Sequence, residues 1–325
     1  MAALVQCMLC PRRCVLADGQ RGNCRARMNI DGKLMSLVYA RPCSMHVDPI
    51  EKKPLFHVLP QSGSFSIATA GCNGHCKYCQ NWQISQSRPE ETVNYDLPPH
   101  AVVQSALKNK CRSIAYTYTE PIIYYEYMFD TAKIAHQNDL LNVMVTAGYI
   151  EQEPLQDLCP VIDAANVDLK AISEDIYLNL TTMRLKPVQD TIVTMKKNNV
   201  WVEITNLVVP TWNDKDEHFR DLARWIRDYA GPETPLHFSR FWPMHQLLNL
   251  PPTPLETMTR AWEIAKAEGL HYVYVGNVPS HPGNNTYCPN DGKLLIQRRG
   301  YLILENNITN GQCKFCGTKI AGIWD

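Results

Sequence analysis

The stretch SFSIATAGCNGHCKYCQNW, residues 64–82, joins an apolar, strand-like run to a short loop that carries three cysteines. Cys72, Cys76 and Cys79 follow the pattern C-x3-C-x2-C. A structural zinc site takes four ligands and a disulfide takes two. Three close thiolates instead suit an iron–sulfur cluster with one metal position left open for another ligand. A zinc site completed by His75 or by a distant residue is the alternative that the spacing leaves open.

From residue 63 onwards, short apolar runs alternate with amphipathic segments. FSIATA (65–70), RSIAYTY (112–118) and HYVYVG (271–276) are typical of strands, whereas PHAVVQSALKNK (99–110) is typical of a helix. This alternation predicts parallel strands joined by crossover helices. We expect an α/β protein with a partial (β/α)6 TIM-like barrel, and a doubly wound open sheet is the alternative. Barrels of this kind place their chemistry at the C-terminal ends of the strands, where the three cysteines lie.

The composition limits the kinds of partner. The 325 residues have a formal net charge of zero, so no field of one sign would attract nucleic acid or an anionic membrane to the whole surface. No run of eighteen apolar residues predicts a transmembrane helix, and the N-terminus lacks the pattern of a secretory signal. Thirteen cysteines in clustered spacing favour metal sites in a reducing cytoplasm over a disulfide framework.

Three regions are expected: a cysteine-rich N-terminal extension (1–62), the barrel (63–280) and a small C-terminal knuckle (281–325). The N-terminal extension carries a candidate metal set, for which zinc is favoured over a second, electron-relaying iron–sulfur cluster. Its members are Cys7, Cys10, Cys14 and Cys24.

The C-terminal knuckle resembles a zinc ribbon that lacks one cysteine. Cys288, Cys313 and Cys316 are candidate ligands, and Asp291 stands where a fourth cysteine is expected. A carboxylate oxygen can bind zinc, so we expect a zinc site here, and loss of the metal is the alternative.

The motif C-x3-C-x2-C, with Tyr78 directly before its last cysteine, resembles the radical S-adenosylmethionine (SAM) superfamily. The segment ATAGCNGHCKYCQNWQISQ, with DPIEKKPLFH upstream, is similar to sequences of the branch of the pyruvate formate-lyase activating enzymes. This branch includes the radical enzyme of the AmmeMemoRadiSam system. The resemblance covers essentially the whole chain. It implies a [4Fe–4S] cluster whose open iron binds SAM, reductive cleavage to methionine and a 5′-deoxyadenosyl radical, and abstraction of a hydrogen atom from a substrate.

The resemblance also implies a cofactor site at the ends of successive strands. YTYTEP (116–121) occupies the place of a Gly-Gly-Glu stretch that holds the cofactor's amino group, and Val145 stands where related enzymes have Asp. Asp168 and Lys170 match a D-L-K stretch, and their spacing of two puts both on one face of a strand. The implied cofactor-binding residues are Tyr78, Thr117, Thr119, Glu120, Thr146, Asp168, Lys170, Arg240 and His245.

Two substrate classes follow from the resemblance. The long N-terminal extension favours a small molecule, whereas the activating-enzyme motifs favour a glycine of a partner protein that becomes a glycyl radical. A non-catalytic metal-binding protein is the alternative from another class. For either enzyme, the resemblance implies reduced flavodoxin or a ferredoxin-type protein as the electron donor.

Overall fold

The computed structural model describes residues 4–325, so the first three residues of the predicted N-terminal extension lie outside the described residues. The strands are β1 Val5–Gln6, β2 Val15–Leu16, β3 Arg27–Ile30, β4 Lys33–Ser36, β5 Ser44–Pro49, β6 Gly63–Ala68, β7 Ser113–Tyr116, β8 Leu141–Thr146, β9 Ala164–Asp168, β10 Trp201–Val208, β11 Leu236–Arg240, β12 Val273–Gly276, β13 Thr286–Tyr287, β14 Leu294–Arg299, β15 Leu302–Asn306, β16 Ile308–Thr309 and β17 Gln312–Cys313.

The α-helices are α1 Trp82–Ser85, α2 Pro99–Lys108, α3 Tyr125–His136, α4 Gln152–Leu158, α5 Glu174–Thr181, α6 Leu185–Lys197, α7 Asp216–Trp225 and α8 Leu255–Ala267. Helix α7 shows why these segments are helical: Phe219, Leu222 and Ala223 recur on one face and are fully buried. Among residues 4–325 the longest helices, α6 and α8, have 13 residues, and no helix is long and apolar enough to cross a bilayer.

Eight strands form the main sheet in the order β12-β11-β10-β9-β8-β7-β6-β5. Strands β6 to β12 are parallel and follow one another in sequence order, and helices connect them. This sequential order confirms the partial barrel and rules out the doubly wound sheet, whose strand order reverses at a switch point. Within the described residues, the sheet ladders do not pair β12 with β5, so the barrel has an open seam there.

Strand β5 is antiparallel to β6 and was not expected from the sequence. It comes from the predicted N-terminal extension, so that extension contributes one strand to the barrel sheet. Because Pro49 pairs with Gly63 at the start of β6, the chain after β5 enters the N-terminal end of the barrel. Ile50, Leu55 and Val58 pack there against the strands and close that end.

The C-terminal knuckle packs beside the last barrel strand. Its strands β14 and β15 form a hairpin, and its core includes Tyr272 and Tyr274 from the region of β12. The last residues of the knuckle run back to the closed end of the barrel, where Ile323 pairs with Val58 and receives a 2.8 Å hydrogen bond from Leu59 N. The C-terminal segment therefore helps to close the barrel on the side opposite the cysteine loop.

Candidate active site

A cavity of about 530 Å³ lies inside the barrel and reaches the C-terminal ends of its strands. Cys72, Cys76 and Cys79, on the loop after β6, all line this cavity. All described cysteines are free thiols. Gly74 N donates to Cys72 Sγ at 3.3 Å, and Ser85 Oγ lies 3.2 Å from Cys79 Sγ. The fold therefore brings the three predicted cluster ligands to the wall of the cavity, where polar groups lie within hydrogen-bond distance of two of the sulfur atoms.

The three thiols fit a metal cluster better than they fit a metal-free site. Burial raises the pKa of the Cys76 thiol to about 12 and that of Cys72 well above its ordinary value. Bare thiolates would therefore be costly here, whereas a bound metal supplies the positive charge that keeps them ionised. His75 does not complete a zinc site with them, because its ring nitrogens contact Gln86 Oε1 at 2.6 Å and Asn23 Oδ1 at 2.8 Å.

Glu120, in the turn after β7, provides a buried carboxylate in the cavity. It accepts hydrogen bonds from Thr146 Oγ1 at 2.6 Å, Ala147 N at 2.7 Å and Ile122 N at 3.2 Å. Burial raises its pKa to about 7, although these hydrogen bonds lower it. Thr117 and Thr119 line the cavity beside it, so this part of the predicted cofactor site is assembled as expected.

Asp168 and Lys170, at the end of β9, also face the cavity. Their side chains form an ion pair with an Nζ–Oδ2 distance of 2.8 Å, and Lys170 Nζ lies 5.8 Å from the centre of the Tyr78 ring. Burial opposes the charged form of Lys170, but Asp168 and the neighbouring Tyr78 and Cys76 raise its pKa well above the ordinary value. The ammonium is therefore held charged next to the cysteine loop, where it can meet an anionic group.

Arg240 and His245 lie away from the lining of the cavity, so their predicted contact with the cofactor stays a prediction. Arg240 Nε donates to Thr253 O at 2.7 Å, and the guanidinium covers the Trp242 ring at 4.8 Å. His245 stacks on Trp82, with ring centres 5.4 Å apart and planes at 16°. The other predicted cofactor residues come together around the cavity.

A charged group inside the barrel was not expected from the sequence. Asp48 of β5 accepts hydrogen bonds from Lys52 Nζ at 2.8 Å and Lys53 Nζ at 2.5 Å, and also from Ser66 and Tyr118. Burial raises the pKa of Asp48, but the two lysines and Tyr118 outweigh it and hold that pKa well below the usual value. Burial lowers the pKa of Lys53 to about 8. Tyr118 has a left-handed φ of 64°, a strained conformation that is common at functional sites.

A second missed pair lies deeper in the barrel. His237 Nε2 is 2.6 Å from Glu203 Oε2, and His237 lines the cavity. Glu203 also accepts hydrogen bonds from the backbone of Phe56 and His57, at 3.1 and 2.8 Å. The period of two along β10 and β11 could have indicated these inward positions, since Thr205 and Ser239 line the same cavity.

The N-terminal extension is built against the cysteine loop. Arg12 donates to Asn73 O at 3.0 Å and to Thr182 Oγ1 at 2.6 Å. A small cavity of about 20 Å³ lies between the extension and this loop. Its lining includes Asn73 and the whole predicted N-terminal metal set, Cys7, Cys10, Cys14 and Cys24. The four cysteines therefore line one small cavity, and a metal site formed by them stays a prediction.

The comparisons with known proteins agree with this geometry. The model of the family described as "Radical SAM superfamily" matches residues 66–226, which include the cysteine loop and the strands up to β10. An uncharacterized protein of Methanocaldococcus jannaschii is 48% identical over 318 residues, 97% of this chain and 95% of that protein.

Two further proteins are more distant. The pyruvate formate-lyase 1-activating enzyme of Escherichia coli K12 is 27% identical over 169 residues, 50% of this chain and 68% of that protein. The crystal structure of a radical SAM methyltransferase from Sphaerobacter thermophilus has a TM-score of 0.52 at 16% identity, over 72% of this chain and 71% of that chain. This structural likeness supports the same fold.

Proposed function

The chain belongs to the radical SAM superfamily, and we propose that it abstracts a hydrogen atom from a small molecule bound inside the barrel. Members of the superfamily use a [4Fe–4S] cluster and SAM, which together supply a 5′-deoxyadenosyl radical. Cys72, Cys76 and Cys79 would hold the cluster. We expect the electron to come from reduced flavodoxin or a ferredoxin-type protein.

Two residues at the strand ends carry charges opposite to those of the ammonium and carboxylate groups of SAM. Glu120 offers a carboxylate to the ammonium of SAM, and Lys170 offers an ammonium to its carboxylate. Glu120 is buried and only 11% of the Lys170 side chain is exposed, which strengthens these interactions relative to bulk water. Asp168 keeps Lys170 in place through the 2.8 Å ion pair. These residues would therefore bind and orient the cofactor, and the protein would exclude water from the reaction.

The observation that carries the proposal for a small substrate is the closed interior of the barrel. The cavity continues from the cysteines to Lys53, Phe56 and His237, beyond the residues assigned to the cofactor. Residues 50–59 block the far end of the barrel, so a substrate must enter from the end with the cysteine loop. Gln80, after β6, and Asn277, after β12, line the cavity and are exposed to solvent. The opening of the cavity therefore lies between these strand ends, near the seam between β12 and β5.

The alternative is an activating enzyme that acts on a glycine of a partner protein. Its support is the similarity to pyruvate formate-lyase activating enzymes, which extends over about half of this chain. A protein substrate would have to insert a loop at the same opening. The N-terminal extension packs on the cysteine loop through Arg12, but none of residues 4–50 lines the cavity, so a loop of a partner protein would meet the strand ends and the cysteine loop there.

The direct test is anaerobic incubation of the cluster-reconstituted protein with dithionite and SAM. We expect 5′-deoxyadenosine and methionine in equal amounts. Cys76→Ala should lose both the absorption of the cluster and the product, whereas Cys111→Ala, a buried cysteine outside the cavity, should keep them. A protein with a full cluster that forms no 5′-deoxyadenosine would refute the proposed enzyme.

The substrate class can be tested with an extract of cells grown in deuterated medium and separated into a small-molecule filtrate and a protein fraction. Deuterium that appears in 5′-deoxyadenosine with the filtrate alone would support a small molecule. Deuterium that appears only with the protein fraction would support the activating enzyme. Heat-killed protein serves as the control for label that arises without the enzyme.

A further inference from the structure

Two turns in the C-terminal knuckle have the same construction. CPNDGK (288–293) and CKFCGT (313–318) both begin with cysteine, place a second potential ligand three residues later and continue with glycine. Cys288 N donates to Lys293 O and Cys313 N to Thr318 O, each at 2.9 Å. In both turns the glycine N–H donates to the carbonyl of the first cysteine, at 3.0 and 2.8 Å. The two glycines have nearly equal φ angles of 70° and 73°.

The two turns direct their side chains to one point. One ligand atom from each of four residues lies within 4.8 Å of all the others. These residues are Cys288, Asp291, Cys313 and Cys316. The Sγ atoms of Cys288 and Cys316 are 3.6 Å apart, too far for a disulfide bond. Two sulfurs bound at ~2.3 Å in a tetrahedron would be about 3.8 Å apart, so the observed distance fits a shared metal ion.

We propose that these four residues bind one Zn²⁺ ion, with Asp291 as the ligand that completes the site. Three thiolates and one carboxylate in a closed tetrahedral set favour zinc over the harder magnesium and calcium ions. Four anionic ligands around a divalent ion leave a net charge of −2. Lys293 Nζ, 3.8 Å from Asp291 Oδ2, lies where it reduces this charge.

The metal would fix the segment that closes the far end of the barrel. Residues 319–325 follow the second turn directly, and Ile320 N donates to Gly311 O at 2.8 Å. Ile323 N then donates to His57 O at 2.8 Å, next to the Phe56 backbone that binds Glu203. The zinc site would thus hold this segment from one side, and its hydrogen bonds to residues 57–59 would hold it from the other.

The experiment is a metal analysis of the full-length protein, produced in medium that contains zinc and iron. We expect about one more zinc ion per chain in the wild type than in Cys313→Ala or Cys316→Ala. Cys159→Ala, which removes a buried thiol outside this group, should keep the wild-type zinc content. Equal zinc in wild type and Cys316→Ala would overturn the proposal, as would iron in place of zinc.

Substitutions of Asp291 keep the test decisive if the cysteine variants fail to fold. Its turn is at the surface and its side chain is only partly buried, so Asp291→Ala should fold. We expect Asp291→Ala to lose zinc to a chelator at least tenfold faster than the wild type, and Asp291→Cys to retain zinc at least as well. Unchanged zinc loss in Asp291→Ala would exclude the carboxylate as a ligand and overturn the four-ligand site.

Discussion

The Oγ1 atom of Thr146 donates a 2.6 Å hydrogen bond to the carboxylate of Glu120, and this bond joins the ends of β8 and β7 inside the cavity. Because burial raises the pKa of Glu120 to about 7, this carboxylate changes charge near neutral pH. The bond from Thr146 and the two backbone donors hold it in place in either state. The pH dependence of cofactor binding should therefore report on this residue.

We expect the affinity for SAM to rise as the pH increases through about 7, because Glu120 then loses its proton and can attract the cofactor's ammonium. Glu120→Gln should weaken binding about tenfold at pH 8, since a hydrogen bond to a charged group is lost. It should also flatten the pH dependence. Equilibrium dialysis with labelled SAM on the cluster-loaded protein measures both effects. An unchanged pH dependence in Glu120→Gln would show that another group titrates.

Gly71→Ala should disturb the contact between the N-terminal extension and the cysteine loop. A Cβ atom at Gly71 would lie 2.3 Å from Cys24 O, and the residue has a φ of 100°. We expect a loss of about 2 kcal/mol in the free energy of unfolding, together with a lower yield of cluster. Iron and sulfide per chain after reconstitution measure the cluster.

Gly74→Ala, in the same loop, is the matched control for this change. Its Cβ would lie 3.0 Å from Met183 Sδ, on a flexible side chain that can move. We expect it to keep most of the cluster. If both variants lose cluster equally, crowding in the loop itself would be the cause, and the packing on Cys24 would not explain the effect.

Lys53→Met should destabilise the protein by about 3 kcal/mol, because it removes one partner of a buried ion pair. Lys52→Met is the matched control: it contacts the same carboxylate of Asp48, but 43% of its side chain is exposed, so the expected loss is below about 1 kcal/mol. Urea unfolding of the two variants provides the comparison. Equal losses would mean that the burial of Lys53 does not set the strength of its pair.

The C-terminal segment should loosen in acid because of His57. Burial lowers the pKa of this histidine to about 4, and its neutral ring contacts Ala321 O and Tyr274 OH, each at 2.6 Å. The unfolded chain takes up a proton near pH 6.5 and the folded chain does not, so stability falls as the pH drops from 6.5 to about 4. The loss is about 3 kcal/mol over this range.

Hydrogen exchange at Ile323 N, which is bonded to His57 O, measures this loosening. The protection of Ile323 N in His57→Gln, which is its exchange rate relative to the intrinsic rate at the same pH, should depend little on pH between 6.5 and 4, because the glutamine amide does not titrate. Burial also lowers the pKa of His218 to about 4, but His218 lies in α7, so His218→Gln should leave the acid response of Ile323 intact. An acid response that persists in His57→Gln would assign the effect to other groups.

The fold and one half of the site could be predicted from the sequence because parallel strands end at a common edge. The cysteine loop, Glu120 and Lys170 each follow a strand, so the barrel topology was enough to bring them together. Arg240 could not be placed in this way. His237 and Ser239 of β11 face the cavity, and since side chains alternate along a strand, Arg240 lies on the other face.

The other half of the cavity depends on contacts between distant segments. Lys53 follows the antiparallel strand β5, and its sequence reads as an irregular connector with prolines. Nothing local indicates that Lys53, Ser66 and Tyr118 meet around Asp48, since Ser66 and Tyr118 lie 18 and 70 residues from it in the sequence. Such contacts are a property of the closed fold.

The open seam between β12 and β5 has a mechanical consequence. In a closed barrel, widening the entrance would require backbone hydrogen bonds between two strands to break. In the described part of this chain no ladder crosses the seam, and its edges are linked by side-chain contacts and by the C-terminal segment, whose Ile323 exchanges backbone hydrogen bonds with His57 and Leu59. Widening the barrel at the seam would therefore leave intact the ladders that hold β6, and with it the cysteine loop, between β5 and β7.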